Sequence, residues 1–428
     1  MAKNTILNVK LFDKEVGKLG YDLDKRKSFF QYNPEFLETN QLQNIFPYII
    51  KRIKPVQVFS EFEGNTFKGL PPAIADSLPD MFGNIIFKEW FEANNKDKTK
   101  LTPLEQLTYV ANRGMGALEY EPAQNIPKTS AIDLEEIVSV LKQVIDQKEQ
   151  TSEKKFDNLA LLNIFKMGTS AGGARPKLLI SENIETGEII PGDIVSSKDY
   201  KHYLVKLSLN EDGYNKEVIE YAYYKMASAV GITMMPSKLI NDKHFTTLRY
   251  DRQNGTKQHV LTASGLTGWD FQKPENSSYE NLFKLALDLK IPYNEIQELY
   301  KRMVFNLVFA NIDDHLKNHS FIYDKNSDKW NLAPAYDLTY PLNVDFNYHR
   351  VSRALSINNK RDNIQLKDLL GLAEEFSVKN PKKIIEKVHE QISEWPAITK
   401  DLNIPAYVVE KISKEFKSYH KIDFQNLE

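Results

Sequence analysis

Residues 310–322 have the sequence A-N-I-D-D-H-L-K-N-H-S-F-I, a concentration of acidic, basic and amide side chains directly after an apolar helical pattern. Asp313 and Asn318 are separated by the D-x-x-x-x-N spacing of a protein-kinase catalytic loop. That spacing lets one loop present a carboxylate to an acceptor hydroxyl and an amide oxygen to a metal ion. His315 and Lys317 lie between them and could contact nucleotide phosphates. So many polar groups in so short a segment favour a functional loop over a solvated turn.

A second carboxylate follows where this hypothesis requires one. Asp337, in L-A-P-A-Y-D-L-T-Y (332–340), lies 19 positions beyond Asn318 and follows a predicted strand at 320–323. Magnesium prefers hard oxygen ligands and keeps several waters, so one aspartate and one asparagine plus phosphates suffice to bind it. The sequence is Y-D-L and not D-F-G, which excludes an ordinary eukaryotic-type protein kinase.

A glycine-rich segment, F-K-M-G-T-S-A-G-G-A-R-P-K (165–177), lies between apolar residues. Glycines let backbone amides approach phosphate oxygens without a Cβ in the way. Gly168 and Gly173 have the spacing of a Walker A loop, but Ala174 occupies the lysine position, and G-x-G-x-x-G is absent. Taken alone, this segment favours a simple β-hairpin turn over a phosphate-binding loop.

Lys206 lies within the hydrophobic strand pattern Y-L-V-K-L-S-L (203–209), where a charge is costly unless it is paired. Kinases place such a lysine on their third strand to hold nucleotide phosphates. An edge-strand lysine that reaches solvent is the alternative. Glu220, early in a helix predicted to end at Gly231, matches the glutamate that pairs with this lysine in kinases. Glu217 is an alternative partner, and an exposed helix carboxylate is the structural alternative.

The pattern along the chain changes from strand-rich to helix-rich, which is typical of an α+β fold. Alternating apolar residues predict a strand at 6–11, Gly17 and Gly20 predict a turn and a second strand, and 28–32 predict a third. A helix is predicted over 84–112. Beyond about residue 290 helices dominate, and one of them has an apolar face formed by Ile296, Leu299, Met303, Leu307 and Ala310.

Composition excludes several classes of protein. The 428 residues predict two or three domains at about 150 residues each. The 56 basic and 58 acidic side chains give a net charge of −2, which argues against a chain that mainly coats nucleic acid. The absence of cysteine excludes disulfides and thiolate zinc sites and favours a reducing compartment. Without a secretory signal or an apolar run of ~20 residues, we expect a cytoplasmic protein with no membrane span.

Taken in order, these segments resemble the HipA family of bacterial serine/threonine kinases, the toxin half of type II toxin–antitoxin pairs. S-L-P-D-M-F-G (77–83) and N-R-G-M-G-A-L-E-Y (112–120) are similar to the family's N-terminal domain, and S-A-G-G-A-R-P-K (170–177) to its phosphate-binding loop. The resemblance covers nearly the whole chain. It implies a bilobal protein-kinase-like α+β fold with a small α+β N-terminal domain (1–125), a kinase N-lobe (126–255) and a mainly helical C-lobe (256–428).

The resemblance also implies a role for each matching position, with ATP and Mg²⁺ as cofactors. Asp313 would be the catalytic base, Asn318 and Asp337 would hold magnesium, and Lys206, supported by Glu220, would bind the ATP phosphates. The residues that would line the nucleotide are Gly172, Gly173, Ala174, Arg175, Lys177, Leu248, Tyr250, His315, Lys317 and Tyr336. L-R-Y-D-R (248–252) resembles the hinge between lobes, often E-R-F-D-R in the family, with Leu248 in place of the acid and Tyr250 in place of the phenylalanine.

Regulation and partners are implied in the same way. Ser170 would be an autophosphorylation site. Its phosphorylation would eject the loop from the ATP site and switch the kinase off, because about two negative charges conflict with bound ATP phosphates. An unmodified Ser170 that caps the loop is the alternative. The implied partner is a HipB-like DNA-binding antitoxin, which would supply the DNA contacts. The implied substrate is a protein, with aminoacyl-tRNA synthetases as the family's suggestion.

Two other functions stay open at this point. A metal-dependent hydrolase could use Asp313, Asp314, His315 and His319, because the two histidines have the i, i+4 spacing of zinc ligands on a helix. However, Leu316 stands where H-E-x-x-H needs its glutamate. A non-catalytic pseudokinase or scaffold that binds a DNA-binding partner is the other candidate, although every expected catalytic position is filled.

Overall fold

The computed structural model describes residues 6–93, 101–124, 132–146, 158–168, 175–192, 198–209, 213–345 and 351–417. The chain folds into two compact units. Unit 1 consists of Met1–Leu209, His244–Leu261 and Gly265–Gly268, and unit 2 consists of Asn210–Lys243, Thr262–Ser264 and Trp269–Glu428. The three-domain division at residues 125 and 255 stays a prediction.

Strands concentrate in unit 1 and helices in unit 2. The strands are β1 (Ile6–Leu11), β2 (Lys14–Asp22), β3 (Lys27–Tyr32), β4 (Gln57–Phe59), β5 (Leu118–Glu121), β6 (Lys177–Asn183), β7 (Ile189–Pro191), β8 (Tyr200–Lys206), β9 (Ser237–Ile240), β10 (His244–Leu248), β11 (Arg252–Gln253), β12 (Thr256–Lys257), β13 (His259–Thr262), β14 (Ser320–Asp324) and β15 (Lys329–Leu332).

The helices are short to medium in length. They are α1 (Pro34–Glu38), α2 (Pro72–Ala75), α3 (Met81–Ala93), α4 (Pro103–Val110), α5 (Leu134–Asp146), α6 (Asn158–Gly168), α7 (Lys216–Ala229), α8 (Ala263–Thr267), α9 (Tyr279–Asp288), α10 (Tyr293–Val308), α11 (Leu366–Glu375), α12 (Pro381–Glu390), α13 (Trp395–Asp401) and α14 (Ala406–Ser413). Within the described ranges, no helix has both the length and the apolar character needed to cross a bilayer.

The first sheet of unit 1 is antiparallel, with the strand order β4-β3-β2-β1-β5. Leu7, Val9 and Leu11 of β1 are fully buried, so the predicted alternation is confirmed. The turn between β1 and β2 lies at residues 12–13 rather than at the glycines, which are inside β2. Gly17 is needed there because a Cβ would lie 2.3 Å from the carbonyl oxygen of Gln31.

The helix predicted over 84–112 is instead two helices, α3 and α4. Thr102 and Glu105 form a reciprocal capping box at the start of α4, and Pro103 takes its first position. Both features stabilise a new helix start rather than a helix interior.

The second sheet contains the unit 1 strands in the order β7-β6-β8-β10, again antiparallel. Because β8 lies between β6 and β10, Lys206 is on a central strand, and the edge-strand alternative is wrong. The segment before the glycine-rich stretch is helix α6 and not a strand, so the hairpin alternative is also wrong.

In unit 2, α10 buries Ile296, Leu299, Met303 and Leu307, as its periodicity predicts. The helix ends at Val308, and Ala310 has a left-handed backbone (φ 53°), so it does not extend the helical face. The predicted strand at 320–323 is β14, which forms an antiparallel hairpin with β15. The loop between α10 and β14 holds most of the predicted catalytic residues.

Candidate active site

The loop after α10 exposes Asp313 and closes on itself through Asn318. The side chain of Asp313 is 62% exposed, and its Oδ1 lies 3.9 Å from Nε2 of His315. Nδ2 of Asn318 donates to the carbonyl oxygen of Asp313 at 2.8 Å, and a single 3₁₀ turn covers Leu316–Asn318. The spacing between Asp313 and Asn318 therefore makes a compact loop whose carboxylate is open to solvent.

Asn318 and Asp337 line the same small pocket, of about 10 Å³, which lies entirely in unit 2. Asp337 has a left-handed backbone (φ 55°), a conformation that costs a non-glycine residue on the order of 1–3 kcal/mol. Nδ2 of Asn311 lies 3.3 Å from the Asp337 carbonyl oxygen and donates to it. The structure thus brings together the two residues that the sequence predicts as metal ligands.

The pocket offers oxygen atoms that suit a hard cation. Asp337, Asn318 and Asn311, whose side chains carry carboxylate and amide oxygens, line it. Among the described residues, Oδ1 of Asn311 is buried and has no hydrogen-bond partner. In the same ranges, no group of three or more His, Cys, Asp or Glu is arranged to hold a metal ion. A site with few protein oxygens fits magnesium, which takes further ligands from phosphates and water.

The geometry contradicts the hydrolase hypothesis. Since residues 316–318 form a 3₁₀ turn, the i, i+4 helical spacing of His315 and His319 does not exist. His319 is buried, and its Nε2 lies 3.3 Å from the backbone carbonyl of Asp314. Burial lowers the pKa of His319 to about 4.

His315 and Lys317 lie beside one aromatic ring. The His315 ring is 4.9 Å from that of Phe271, and Nζ of Lys317 is 5.4 Å from the same ring centroid. The Tyr336 hydroxyl donates to the Lys317 carbonyl at 2.7 Å. Tyr336 therefore holds the backbone of the loop, and its predicted nucleotide contact stays a prediction.

Asp314 anchors the loop through buried hydrogen bonds. It is 1% exposed and accepts hydrogen bonds from the Tyr279 hydroxyl (2.7 Å), the Arg353 guanidinium (2.5 Å) and the Leu355 amide (3.2 Å). Sequence reasoning missed this role, because Tyr279 and Arg353 are 35 and 39 positions away in the chain.

In unit 1, two buried lysines face each other across adjacent strands. Lys177 of β6 and Lys206 of β8 are directly opposite in register, and they are 4% and 6% exposed. Nζ of Lys206 lies 6.0 Å from the ring centroid of Phe245. Because directly opposite residues project from the same face of a sheet, both ammonium groups belong to one surface. Arg175, two residues before Lys177, is half-buried.

Other predicted residues stay predictions. Ser170, Gly172, Gly173 and Ala174 lie outside the described residues. Glu217 and Glu220 are both buried on α7, so the exposed-carboxylate alternative is wrong. Lys206 belongs to unit 1 and Glu220 to unit 2, and their pairing stays a prediction.

The predicted hinge segment carries a buried ion cluster. Arg249 and Arg252 each donate to Oδ2 of Asp251 at 2.7 Å, and Gly116 donates its backbone N–H to the same oxygen at 2.8 Å. Burial alone would raise the pKa of Asp251, but the two guanidiniums and the Gly116 N–H hold it well below its usual range. The segment 248–252 therefore fastens the loop at 114–116, while Leu248 and Tyr250 are half-buried beside it.

Comparison with known families matches both parts of the chain. Residues 7–121 match the family described as HipA N-terminal domain, and residues 169–395 match the one described as HipA-like C-terminal domain. A serine/threonine-protein kinase toxin HipA from Shewanella oneidensis is 22% identical over 263 residues, which are 53% of this chain and 57% of that protein. A Haemophilus influenzae protein is 27% identical over 192 residues, 40% of this chain and 52% of that protein. The chain spans about half the length of the curated relatives it matches.

A solved structure agrees with the fold over nearly the full chain. The complex of Shewanella oneidensis HipA, HipB and operator DNA contains a chain that aligns with a TM-score of 0.62 at 16% identity, covering 98% of this chain and 93% of that one. At this identity the likeness concerns the fold alone. It confirms the predicted α+β, protein-kinase-like fold class.

Proposed function

The chain belongs to the HipA family, and from this premise we propose that it transfers the γ-phosphoryl group of ATP to a serine or threonine hydroxyl of a protein. The observation that carries the proposal is the arrangement in unit 2. There, Asn318 bonds to the backbone of the exposed Asp313 and shares an oxygen-rich pocket with Asp337. This is the division of roles that phosphoryl transfer requires: one carboxylate toward the acceptor and two oxygen ligands toward a metal.

Asp313 would act on the acceptor hydroxyl. Its exposed carboxylate can accept a hydrogen bond from the hydroxyl and take the proton as the hydroxyl oxygen bonds to the γ-phosphorus. The bond from that phosphorus to the bridging oxygen breaks, and ADP leaves. Bound magnesium, held by Asn318 and Asp337, would neutralise charge on the phosphates. The remaining contribution of the chain is positioning.

Lys177 and Lys206 would bind the nucleotide phosphates. Both lysines are buried and project from one face of the sheet, so their ammonium groups lie on one surface. Ammonium groups are donors that bind nucleotide phosphates in kinases.

We test the catalytic assignment with Asp313→Ala and Asp337→Ala. Each should reduce transfer of radioactive phosphate from ATP to an acceptor protein by a factor of about 10³ or more, since each removes a group that acts at the reacting phosphate. Asp324→Asn serves as the matched control and should retain activity. Asp324 is a carboxylate on the neighbouring hairpin strand β14. Near-normal transfer by either alanine variant, with circular dichroism unchanged, would overturn the assignment.

Ser170 is proposed as the autophosphorylation site. After incubation with ATP and magnesium, intact-mass spectrometry should show a phosphate adduct on the parent and a reduced adduct on Ser170→Ala. The phosphate would carry about −2 charge next to a nucleotide-binding loop, so the modified protein should bind ATP more weakly. Equal adducts on both proteins would exclude Ser170, and no adduct on any variant would favour a non-catalytic scaffold.

A HipB-like DNA-binding antitoxin is proposed as the partner, in the cytoplasm. Support comes from the Shewanella oneidensis relative, whose structure is a complex of HipA, HipB and operator DNA. The chain's own net charge of −2 is consistent with contacts to DNA that are made through the partner. The proposed substrate is a translation protein such as an aminoacyl-tRNA synthetase. Phosphoproteomics of cells that express the parent or Asp313→Ala would identify it.

A further inference from the structure

A chain of buried hydrogen bonds runs from Asp314 to the carbonyl group of Asp337, entirely within unit 2. The Tyr279 hydroxyl donates to Oδ2 of Asp314 at 2.7 Å, and Nδ2 of Asn306 donates to the Tyr279 hydroxyl oxygen at 3.0 Å. Nδ2 of Asn311 donates to Oδ1 of Asn306 at 3.0 Å and to the Asp337 carbonyl at 3.3 Å. The four side chains from Asp314 to Asn311 are at most 2% exposed.

The carboxylate at one end sets the direction of every bond in this chain. Ionised Asp314, paired with Arg353, can only accept hydrogen bonds, so the single hydroxyl hydrogen of Tyr279 must point to it. The Tyr279 oxygen is then left to accept from the amide nitrogen of Asn306. The amide oxygen of Asn306 in turn accepts a hydrogen bond from the amide nitrogen of Asn311. A reversed orientation of either asparagine would place two acceptors or two donors face to face.

This order of hydrogen bonds leaves the amide oxygen of Asn311 without a donor among the described residues. Both N–H groups of Asn311 are used, one toward Asn306 and one toward Asp337, and its Oδ1 has no donor among the residues that the structure describes. A buried acceptor without a partner is destabilising, because it has lost its hydrogen bonds to water. Asn311 lines the pocket that also contains Asn318 and Asp337, and the pocket volume of about 10 Å³ is close to the least space that holds one water molecule.

We propose that Asn311 is a positioning residue of the metal site, an inference that rests on the proposed function. Its Nδ2 holds the carbonyl of Asp337, and its Oδ1 accepts a hydrogen bond from a water of the hydration shell of the bound ion. Asp314 acts at a distance, because through Tyr279 and Asn306 it fixes which end of the Asn311 amide faces the pocket.

Two physical arguments support this role. Magnesium keeps several waters when proteins bind it, so a buried acceptor next to its ligands has a natural donor. The Asp337 backbone is in the left-handed region, which persists only where neighbouring groups over-determine it. The hydrogen bond from Asn311 to the Asp337 carbonyl is one such constraint.

The experiment measures binding of Mn²⁺, a spectroscopic substitute for Mg²⁺, to the full chain with saturating ADP. Electron paramagnetic resonance reports the free ion directly and needs no catalysis. Asn311→Leu keeps the approximate side-chain volume and removes both polar atoms, and it should weaken Mn²⁺ binding by about 10–100-fold. ADP affinity measured in EDTA should stay unchanged, because the nucleotide without metal does not use this water.

A second variant tests the direction of the chain. Tyr279→Phe keeps the ring but cuts the link to Asp314, so both asparagine amides are free to turn. It should weaken Mn²⁺ binding in the same sense as Asn311→Leu but by a smaller factor. Tyr279→Phe also decides the question if Asn311→Leu fails to fold.

The matched control is Tyr300→Phe. Tyr300 is a fully buried tyrosine of α10 whose hydroxyl donates to the Leu369 carbonyl at 3.0 Å, outside the hydrogen-bond chain. Its variant loses one buried hydrogen bond and should bind Mn²⁺ like the parent. Parent-like Mn²⁺ affinity in folded Asn311→Leu or Tyr279→Phe, while the parent still transfers phosphate, would overturn the inference alone. A parent that neither transfers phosphate nor binds Mn²⁺ with ADP would overturn the proposed function as well.

Discussion

Lys177 and Lys206 show how a charge inside a sheet can indicate function. A single buried lysine in a strand can have a purely structural role. Here the register of β6 and β8 places two lysines directly opposite each other, and both are almost completely buried. Like charges opposite each other in a sheet are destabilising. We propose that the nucleotide phosphates bind against that face.

Lys206→Met should therefore weaken ATP binding. A hydrogen bond that involves a charged group contributes about 1.5–3 kcal/mol, so the expected loss of affinity is roughly 10–150-fold. Isothermal titration calorimetry with ATP and magnesium measures it. Lys201→Met is the matched control, since Lys201 is an exposed lysine of the same strand. Equal affinities of parent and Lys206→Met would contradict the proposed role.

Single residues also show the limit of sequence reasoning. The spacing along the chain predicts Asp313, Asn318 and Asp337 as site residues. The structure places Asn318 and Asp337 in one pocket, and the catalytic and metal-binding roles stay predictions. Asn311 and Asp314 lie in the same quoted stretch, but their roles depend on Tyr279 and Arg353, which are far away in sequence. A buried hydrogen-bond chain has no periodicity, so composition and spacing could not indicate it.

Among the elements, the segment 248–252 has a structural function that its resemblance to a hinge did not predict. Asp251 is fully buried and binds two guanidiniums and a backbone N–H from the loop at 114–116. Burial, followed by the charge of Arg249, lowers the pKa of Arg252 to about 10. The cluster thus pairs one carboxylate with two guanidinium groups.

Removing that carboxylate should destabilise unit 1. Asp251→Asn leaves Arg249 and Arg252 buried next to each other without the carboxylate that pairs with both, and breaking a buried ion pair costs about 3–5 kcal/mol. Urea unfolding, followed by circular dichroism, should show a clearly lower midpoint. Asp24→Asn, at an exposed position of the same unit, should unfold like the parent. A parent-like midpoint for Asp251→Asn would show that the cluster does not stabilise the fold.

Regular elements were more predictable than the points where they begin and end. The apolar periods of β1 and α10 predicted both elements, because burial of one face determines that period. The turn at 12–13 was missed because it uses non-glycine residues with positive φ. The sequence predicts Gly17 as a turn residue, but the structure requires a glycine there because of close contact with a neighbouring strand. Such requirements arise from tertiary contacts and leave no local pattern.

At the scale of the whole molecule, both units contain histidines that are buried in neutral form. Burial lowers the pKa to about 4 for His202 and His259 in unit 1 and for His319 in unit 2. In the unfolded chain these groups titrate near their ordinary value of about 6.5. Between these two values the unfolded chain binds protons that the folded chain excludes.

The sign of the pH dependence follows directly. Above about pH 6.5 the histidines are neutral in both states, so they do not change the free energy of unfolding with pH. As the pH falls toward 4, the unfolded state gains protons and the free energy of unfolding decreases. Each histidine contributes a slope of up to about 1.4 kcal/mol per pH unit in this window. His259→Gln removes one such group, fully buried with Nε2 3.0 Å from the Ile45 carbonyl.

The parent and His259→Gln should therefore differ in how steeply their free energy of unfolding changes with pH, and not only in its value at one pH. Urea unfolding at several pH values between about 7 and 5 gives both slopes, and the variant's should be shallower. Carboxylates titrate alike in the two proteins, so the difference isolates one histidine. Identical slopes would mean that His259 takes up its proton in the folded chain and that burial does not hold it neutral.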